Sequence, residues 1–273
     1  MVLLEILTLI TIGVNKMSGY KGKIINSGND AKTIKGNGDK YETAIFYGKS
    51  YKQFIDGKEY NTCSMAKIAS CFKGCLYSAG RGKFNNVQDA RTRKTTLFFT
   101  DRKEFLRLLV NDCIKFETRA IKQGVKPCVR LNGTTDIQWE KIKVIKDDIE
   151  YDNIFSAFPN IQFYDYTKIF KRDVSHIKNY HLTWSYSEAN QWYAKQYKTA
   201  IKNGMNIAVV FRDKNLPKKF LGLTVIDGDK DDLRFLDPKS SIVGLYAKGD
   251  ARKDNSGFVI DYDWHESASN FIG

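Results

Sequence analysis

The sequence predicts an α/β protein with a single (β/α) barrel-like domain, built on a mostly parallel sheet that need not close into a full barrel. Short apolar, β-prone runs recur at regular intervals through the second half of the chain. Helical patterns lie between several of these runs, which is the arrangement of parallel βαβ units. Only four prolines are present, and no Gly- or Ser-rich linker divides the chain. We therefore expect one domain over residues 18–273.

The first half of the chain contains one predicted strand and one predicted helix. Residues 43–47 form a short β-prone run after an irregular polar stretch. Asp101 and Glu104 have the spacing of a capping box, and apolar residues then recur at helical intervals. We expect this helix to stop where Gly124 follows.

Six further strands and two further helices are predicted in the second half. Each strand is a run rich in β-branched and aromatic residues, bounded by polar or turn-forming residues. The predicted strands are residues 127–132, 161–166, 179–184, 206–211, 221–226 and 242–247. The predicted helices lie around residues 139–145 and from a cap at Ser187 to about Asn203.

Three of the five cysteines fall in one short segment, Cys63, Cys71 and Cys75, with the spacing C-x7-C-x3-C. An odd number of cysteines without a secretory context favours a reducing cytoplasm over a disulfide framework. Thiolates suit zinc or the iron of an iron–sulfur cluster, and three of them leave one coordination position open. These three cysteines are therefore candidate metal ligands. Buried structural thiols, or a redox or nucleophilic cysteine, are the alternatives.

Polar and charged residues follow the apolar body of each predicted strand. Ligands bind at the carboxyl ends of strands in parallel (β/α) folds, so these residues are candidates for a site. Arginine and lysine would hold an anionic group, and carboxylates would orient it or move protons. The candidate catalytic residues are Arg130, Asn132, Asp136, Asp165, Lys168, Asp227 and Asp229, and the candidate cofactor-binding residues are Ser185, Arg212 and Lys248.

Arg130 stands out among these residues because it lies inside a predicted strand. A charged side chain in a buried strand is costly unless it is paired. Asp165, Asp227 and Asp229 are the candidate partners.

The formal net charge of +13 has two interpretations, a solvated basic surface or attraction to nucleic acid or another polyanion. The densest basic stretch directly follows the cysteine segment, and phenylalanines are interleaved with it. Such a pattern can hold a phosphate backbone and stack bases, although a solvated face beside core phenylalanines is the alternative. The candidate nucleic-acid-binding residues are Arg81, Lys83, Arg91, Arg93 and Lys94.

The N-terminal stretch does not predict a membrane protein. Residues 2–14 are apolar, but they are fewer than the roughly 20 that a membrane-spanning helix needs. Glu5 and the lack of a preceding positive segment argue against a signal peptide. Since Met17 opens a more typical N-terminus, we expect residues 1–17 to be a loose tail or a mis-assigned start.

Several stretches carry a resemblance to a known family. They are DAKTIKG, CLYSAGRGKFNNVQDARTRKT, VRLNGTTDI, FPNIQFYDYTK, NYHLTWS, NIAVVFR, VIDGDKDDLRFLDP and IVGLYAKGDARKDNSGFVI. Together they resemble uncharacterised bacteriophage proteins related to the phage gene-product-88-like proteins, over nearly all of residues 28–260. The resemblance implies a phage protein that works in the cytoplasm of the infected host cell. That family has no established activity, so the resemblance implies an origin and not a reaction.

The cysteine segment ahead of a (β/α) sheet is also similar to radical S-adenosylmethionine enzymes. That resemblance would imply an iron–sulfur cluster, with S-adenosylmethionine as a second cofactor. The pattern departs from those enzymes, which typically have C-x3-C-x2-C with an aromatic residue before the last cysteine. Here the spacing is wider, and Gly74 precedes Cys75.

Two hypotheses about function follow. The first is a metal- or iron–sulfur-dependent enzyme whose site lies at the carboxyl ends of the parallel strands. The second is a non-enzymatic basic module that binds nucleic acid or a host protein. No phosphate-binding loop, dinucleotide fingerprint or nucleophile-elbow motif is present in the sequence, so those enzyme classes have no support.

Overall fold

A computed structural model describes residues 20–28, 40–72, 74–75 and 80–262 of the chain. The expected N-terminal tail, residues 1–17, lies outside the described residues. The strands are β1 (Ile25–Ser27), β2 (Tyr41–Phe46), β3 (Lys52–Ile55), β4 (Lys58–Asn61), β5 (Lys126–Arg130), β6 (Val144–Lys146), β7 (Ile149–Tyr151), β8 (Gln162–Thr167), β9 (Tyr180–Ser185), β10 (Asn206–Phe211), β11 (Lys219–Phe220), β12 (Leu223–Asp227), β13 (Ile242–Tyr246) and β14 (Val259–Ile260). The α-helices are α1 (Asn85–Thr100), α2 (Arg102–Lys122), α3 (Ile154–Ala157), α4 (Gln191–Ala194) and α5 (Tyr197–Lys202).

Seven neighbouring strands form the parallel centre of a ten-stranded sheet, in the order β2-β5-β8-β9-β10-β13-β12. Strands β1 and β11 extend its two ends as antiparallel partners. Because the seven strands are parallel, their carboxyl ends all lie at one edge. The predicted α/β architecture with a mostly parallel sheet is confirmed. The two ends of the sheet do not pair with each other within the described residues, so the sheet is open there and the expected barrel-like arrangement is not confirmed.

The two faces of the sheet are packed differently. On one face Phe46, Val129 and Phe163 belong to the main hydrophobic core, which also contains the buried side chains of α1 and α2. On the other face Cys128 and Tyr164 pack against Leu233, from the turn that follows β12. Alternation of side chains along each strand produces this division, and it gives the second face a more polar lining.

Helix α2 forms as its sequence pattern predicts. The Asp101 side chain accepts a hydrogen bond from the Glu104 backbone N–H at 3.0 Å, which caps the first turn. Phe105 and Leu109 are fully buried on the core face, and Gly124 follows the helix with a φ of +71°. None of the helices in the described part of the chain has the length and apolar character that crossing a bilayer requires.

Helix α1 was not predicted, because the stretch from Cys63 to Arg93 reads as a loop. Its inward positions include Arg91 and Lys94, both less than a tenth exposed, which interrupt the apolar period expected of a helix. The Lys94 ammonium donates to the Ile24 carbonyl and lies 5.5 Å from the centre of the Phe46 ring. Burial lowers the pKa of Lys94 to about 8, with Arg91 adding to the shift.

Two other helix predictions were wrong in extent. Residues 139–145 form only a short 3-10 turn, Trp139–Lys141, followed by the hairpin of β6 and β7. The region after Ser187 divides into α4 and α5, and α4 is capped by Asn190, whose side chain accepts from the Tyr193 N–H at 2.9 Å. Ser187 instead donates its hydroxyl to the Ala69 carbonyl at 2.8 Å, so its role is tertiary.

The last strand, β14, pairs with β10 beyond the point where the pairing of β9 with β10 ends. Strands β9 and β10 pair only as far as Ser185 and Ala208, and β14 then pairs with the end of β10. The segment before β14 is held by Gly257, whose carbonyl accepts from the Glu188 N–H at 2.8 Å. Gly257 has a φ of +88°, and a Cβ there would lie 2.8 Å from the Ala189 backbone nitrogen.

The Gly257→Ala substitution is expected to destabilise the protein more than Gly222→Ala. Both glycines have a positive φ, so alanine strains both sites by about 1–2 kcal/mol. Only the Cβ at position 257 also meets backbone atoms, whereas no atom lies within 4 Å of a Cβ at position 222. Urea unfolding of both variants measures the difference. Equal losses of stability would contradict the tight docking of this segment.

Candidate active site at the strand ends

The segment that carries Cys63, Cys71 and Cys75 lies across the carboxyl ends of the parallel strands. The Asp136 N–H, in the loop after β5, donates to the Thr62 carbonyl at 2.8 Å. At the other end of the segment, the Ala69 carbonyl accepts from Ser187, in the loop after β9. The segment is therefore fastened beyond β5 and beyond β9, and it passes over β8, which lies between them.

One lysine interacts electrostatically with the three thiols when they are ionised. Lys168 directly follows β8; burial lowers its pKa, while Asp136 and, in their ionised form, Cys71, Cys75 and Cys63 favour its charged form. Burial raises the pKa of the Cys63 thiol to about 12 and also raises the pKa of Cys71. Both thiols are therefore protonated at neutral pH in the protein as it stands.

The sulfurs come to one region without forming a finished metal site. Cys63 donates its thiol to the Thr134 carbonyl at 3.9 Å, and Cys71 donates to the Ala66 carbonyl at 3.9 Å. In the part of the chain that the structure describes, no three His, Cys, Asp or Glu side chains are placed so that they could hold a metal ion.

Lys168 is also bonded to Ser185, the last residue of β9. The Lys168 ammonium donates to the Ser185 hydroxyl at 2.7 Å and to the Ser185 carbonyl at 3.3 Å. The Tyr193 hydroxyl, from α4, lies 2.9 Å from the Ser185 carbonyl and 3.1 Å from the Lys168 carbonyl, which fixes the spacing of the two strand ends. The Phe258 ring, next to β14, covers the ammonium at 4.5 Å.

A buried ion-pair network of Arg172, Asp136 and Glu140 lies next to this region. Arg172 binds both carboxylate oxygens of Glu140, at 3.0 and 2.6 Å, and its third nitrogen lies 3.3 Å from Asp136. Asp136 in turn accepts from the Thr167 hydroxyl and the Lys168 N–H, both at 2.8 Å. These bonds join the loop after β5 to the end of β8, and they set where the Lys168 side chain begins.

The NGTTD stretch after β5 is a tightly bonded turn. The Asn132 side-chain oxygen accepts from the Thr135 hydroxyl and the Ile137 N–H, each at 2.8 Å. Gly133 passes so close to β2 that a Cβ there would lie 2.8 Å from the Phe46 carbonyl. The polar residues of this turn, which the sequence predicted to be part of a site, therefore also stabilise the local structure.

Asp165 is completely buried beside this turn. Its carboxylate accepts from the Asn132 N–H at 2.7 Å and from the Tyr180 hydroxyl at 3.2 Å. Burial raises its pKa to about 7, against the opposing effect of Arg130 and of these hydrogen bonds. Asn132 and Asp165, two of the predicted catalytic residues, thus direct their polar atoms into the protein.

Arg130 has a partner that the sequence did not suggest. Its guanidinium lies 2.6 Å from Asp232, in the turn after β12, so the expected ion pair with Asp165, Asp227 or Asp229 was wrong. The guanidinium carbon also lies 5.2 Å from the centre of the Tyr166 ring. Arg130 is 2 % exposed and points into the second face of the sheet, below the strand ends.

The remaining predicted site residues lie towards the β12–β13 end of the sheet. Asp229 accepts from the Tyr246 N–H at 2.9 Å and pairs with Lys248. Arg212 pairs with Asp261 and donates to the Arg252 carbonyl at 2.8 Å, which braces the C-terminal segment. Asp227 is exposed, and its side chain accepts from the Asp229 N–H. The structure therefore brings Lys168 and Ser185 together at the edge that the cysteine segment crosses, but assigns Arg212, Asp229 and Lys248 to other pairs.

The predicted nucleic-acid-binding residues do not form one surface. Arg91 and Lys94 are buried on the inner side of α1, whereas Lys83 and Arg93 are exposed. Lys83 lies 3.9 Å from the Asp250 carboxylate. The side chain of Arg81 lies outside the described set.

Three side chains of the site were missed at the level of sequence. Arg172, Tyr193 and Phe258 come from three separate connections and meet around Lys168 only in the folded chain. An arginine after a strand is a common surface residue, and a tyrosine and a phenylalanine are common core residues. No spacing within the sequence distinguishes these three from such residues.

The Arg172→Met substitution is expected to destabilise the protein by about 3–5 kcal/mol, because it leaves the buried carboxylates of Asp136 and Glu140 without their cation. Arg107→Met is the matched control. Arg107 pairs with Glu104 on an exposed helix surface, and such pairs contribute at most about 1 kcal/mol. Urea unfolding gives both values, and similar values would show that the Arg172 network contributes little.

The described strands and site residues fall inside a region shared with a known protein family. The family model described as Gene product 88 matches residues 23–262. Neither the curated proteins nor the solved structures include a significant match to this chain. The matched region covers most of the chain, including the cysteine segment, every strand of the parallel sheet and the residues around Lys168. The chain therefore belongs to the Gene product 88 family of phage proteins.

Proposed function

We propose that this chain is an enzyme with its active site at the carboxyl ends of the parallel strands, beneath the cysteine segment. The observation that carries the proposal is that the cysteine segment is fastened across the same edge of the sheet at which Lys168 bonds to Ser185. Lys168 forms no ion pair with a carboxylate among the described residues, and Asp136, which favours its charged form, is bonded to Arg172. A half-buried lysine without such a partner can bind an anionic group of a substrate.

The second part of the proposal is that Cys63, Cys71 and Cys75 hold a soft metal centre, either zinc or an iron–sulfur cluster. Their thiols suit both, and a three-thiolate site leaves a position open for a small molecule. Burial keeps the Cys63 and Cys71 thiols protonated, and the described cysteines are not placed at ligand spacing. Metal binding therefore requires loss of their protons and a tightening of the segment between residues 63 and 75.

Anaerobic purification followed by metal analysis tests this part. We expect bound zinc or iron in a fixed ratio to protein, released when any of Cys63, Cys71 and Cys75 is changed to Ser. Cys128→Ala is the control, because Cys128 is fully buried on the second face of the sheet and away from the segment. Folded wild-type protein that carries no metal, and takes up neither zinc nor iron under reducing conditions, would refute the metal centre.

A second candidate function, the binding of single-stranded nucleic acid, is favoured by one observation. Phe84 is 58 % exposed, it lies next to the exposed Lys83, and the chain is strongly basic. An exposed aromatic ring beside a cation can stack a base near its phosphate. The binding surface would consist of Lys83 and Phe84, without the buried Arg91 and Lys94.

Phe84→Ala combined with Lys83→Ala is expected to weaken binding of a labelled oligonucleotide at least tenfold, because loss of stacking costs about 1–3 kcal/mol per base. Lys58→Ala, in the β3–β4 hairpin, is the control for net charge. Titrations by fluorescence anisotropy at two salt concentrations measure the change. Equal affinity of the double variant and the control would exclude this surface as a specific site.

A further inference from the structure

Lys168 and Ser185 have the geometry of a serine nucleophile and its base. The lysine nitrogen and the serine oxygen are 2.7 Å apart, which is within the range that proton transfer between such a pair requires. Ser185 ends β9, and Lys168 directly follows β8, its parallel neighbour. Both side chains therefore stand at the edge of the sheet where ligands bind.

The pair is held in place from the backbone. Tyr193 bonds to the carbonyls of both residues, and the Trp184 indole N–H donates to the Lys168 carbonyl at 3.1 Å. On the other side, the Lys168 N–H is fixed by Asp136. Because three separate groups hold the nucleophile and the base, the distance between the two stays constant, as a reactive pair requires.

The surroundings of Lys168 suit a base. The charged or titratable groups that face it are Asp136 and the three cysteines, and Asp136 is already paired with Arg172. Burial lowers the pKa of Lys168. A lysine in such a place loses its proton more readily than a solvated lysine.

We propose that Ser185 is a nucleophile and Lys168 its general base in acyl transfer from a carboxylic ester. The Ser185 oxygen attacks the ester carbonyl carbon while Lys168 takes the hydroxyl proton. The bond to the leaving alcohol breaks as Lys168 returns that proton to the alcohol oxygen. Water then attacks the serine ester with Lys168 again as base, which releases a carboxylic acid and restores the hydroxyl.

The neighbouring side chains indicate the acyl group. Ala247, Ala251, Phe258 and Val259 form a small apolar cluster, and the half-buried Cys71 and Val210 pack against it. Phe258 connects this cluster to the Lys168 ammonium. Because the side chain that joins the pair to this cluster is apolar, an acyl group of apolar character is the class that we propose. The inference rests on the proposed function only in placing an active site at this edge, and it requires no metal.

An alkyl fluorophosphonate tests the inference directly on the full chain. The Ser185 oxygen forms a bond to phosphorus, fluoride leaves, and Lys168 takes the proton, so a stable adduct marks an activated serine. We expect one adduct per chain on Ser185 by peptide mass spectrometry, absent in Ser185→Ala. Ser175→Ala is the control, because Ser175 donates to Asp173 on an exposed loop and should not affect labelling.

Two variants of Lys168 distinguish a role as a general base from a role as a positive charge alone. Lys168→Met and Lys168→Arg should each lower the labelling rate by about 100-fold, since neither side chain accepts a proton at neutral pH. The wild-type rate should rise with pH to a plateau, with a midpoint below the ordinary pKa of lysine. Cooperative unfolding of each variant shows that the fold is retained.

The results of this labelling experiment can be told apart from those of the metal analysis. Absence of an adduct at Ser185 in folded wild-type protein would overturn the inference. Labelling that is unchanged in Lys168→Arg would also overturn it, and would leave Lys168 as a cation that binds substrate. Labelling of metal-free protein, with the expected loss in the Lys168 variants, would support the nucleophile while refuting the metal centre alone.

Discussion

The arrangement of the strand ends depends on one buried carboxylate, that of Asp136. It is bonded to Arg172, to the Thr167 hydroxyl and to the Lys168 N–H, and its own N–H is bonded to Thr62. A buried carboxylate is costly unless a cation and hydrogen bonds surround it, so these bonds specify a single relative position for the loops that share them. The cysteine segment, the loop after β5 and the end of β8 are placed together by this one group.

The same arrangement explains why Lys168 differs from the other lysines of the chain. Most lysines are on the surface, where they contribute to the charge of +13. Lys168 is half-buried, and Asp136, the carboxylate that favours its charged form, is paired with Arg172. Its neighbours include Cys63 and Cys71, whose thiols burial keeps protonated, together with a hydroxyl and an aromatic ring. Low polarity around an unpaired amine is a physical condition under which lysine becomes chemically useful.

The high positive charge is a poor guide to the location of a surface. Arg91 and Lys94 belong to the densest basic run of the sequence, and they are among the buried residues of the fold. Lys94 donates to a backbone carbonyl and lies over the Phe46 ring. Long basic side chains can bury their aliphatic stems when the charged end finds an acceptor, so a run of charges in a sequence does not define a charged patch.

Much of the fold followed from local patterns. The strand at residues 206–211 and the helix capped by Asp101 form where the sequence predicts them, because hydrophobic periodicity and capping act over a few residues. Helix α1 and the divided region after Ser187 did not follow, because buried charged side chains and tertiary hydrogen bonds there override the local period. The sequence also did not determine the order of the strands, since β13 lies between β10 and β12 in the sheet although it follows β12 in the chain.

The sequence by itself determined the parallel α/β architecture and the edge at which polar strand-end residues gather. Only the tertiary structure decided which of those residues meet. Lys168 and Ser185 are neighbours because β8 and β9 pair in register, and the thiols join them because the cysteine segment is fastened to loops far away in the chain. Arg130 instead pairs with Asp232, and Asp229 with Lys248. Such pairings follow from distances between strands and loops, and a one-dimensional pattern of residues does not contain those distances.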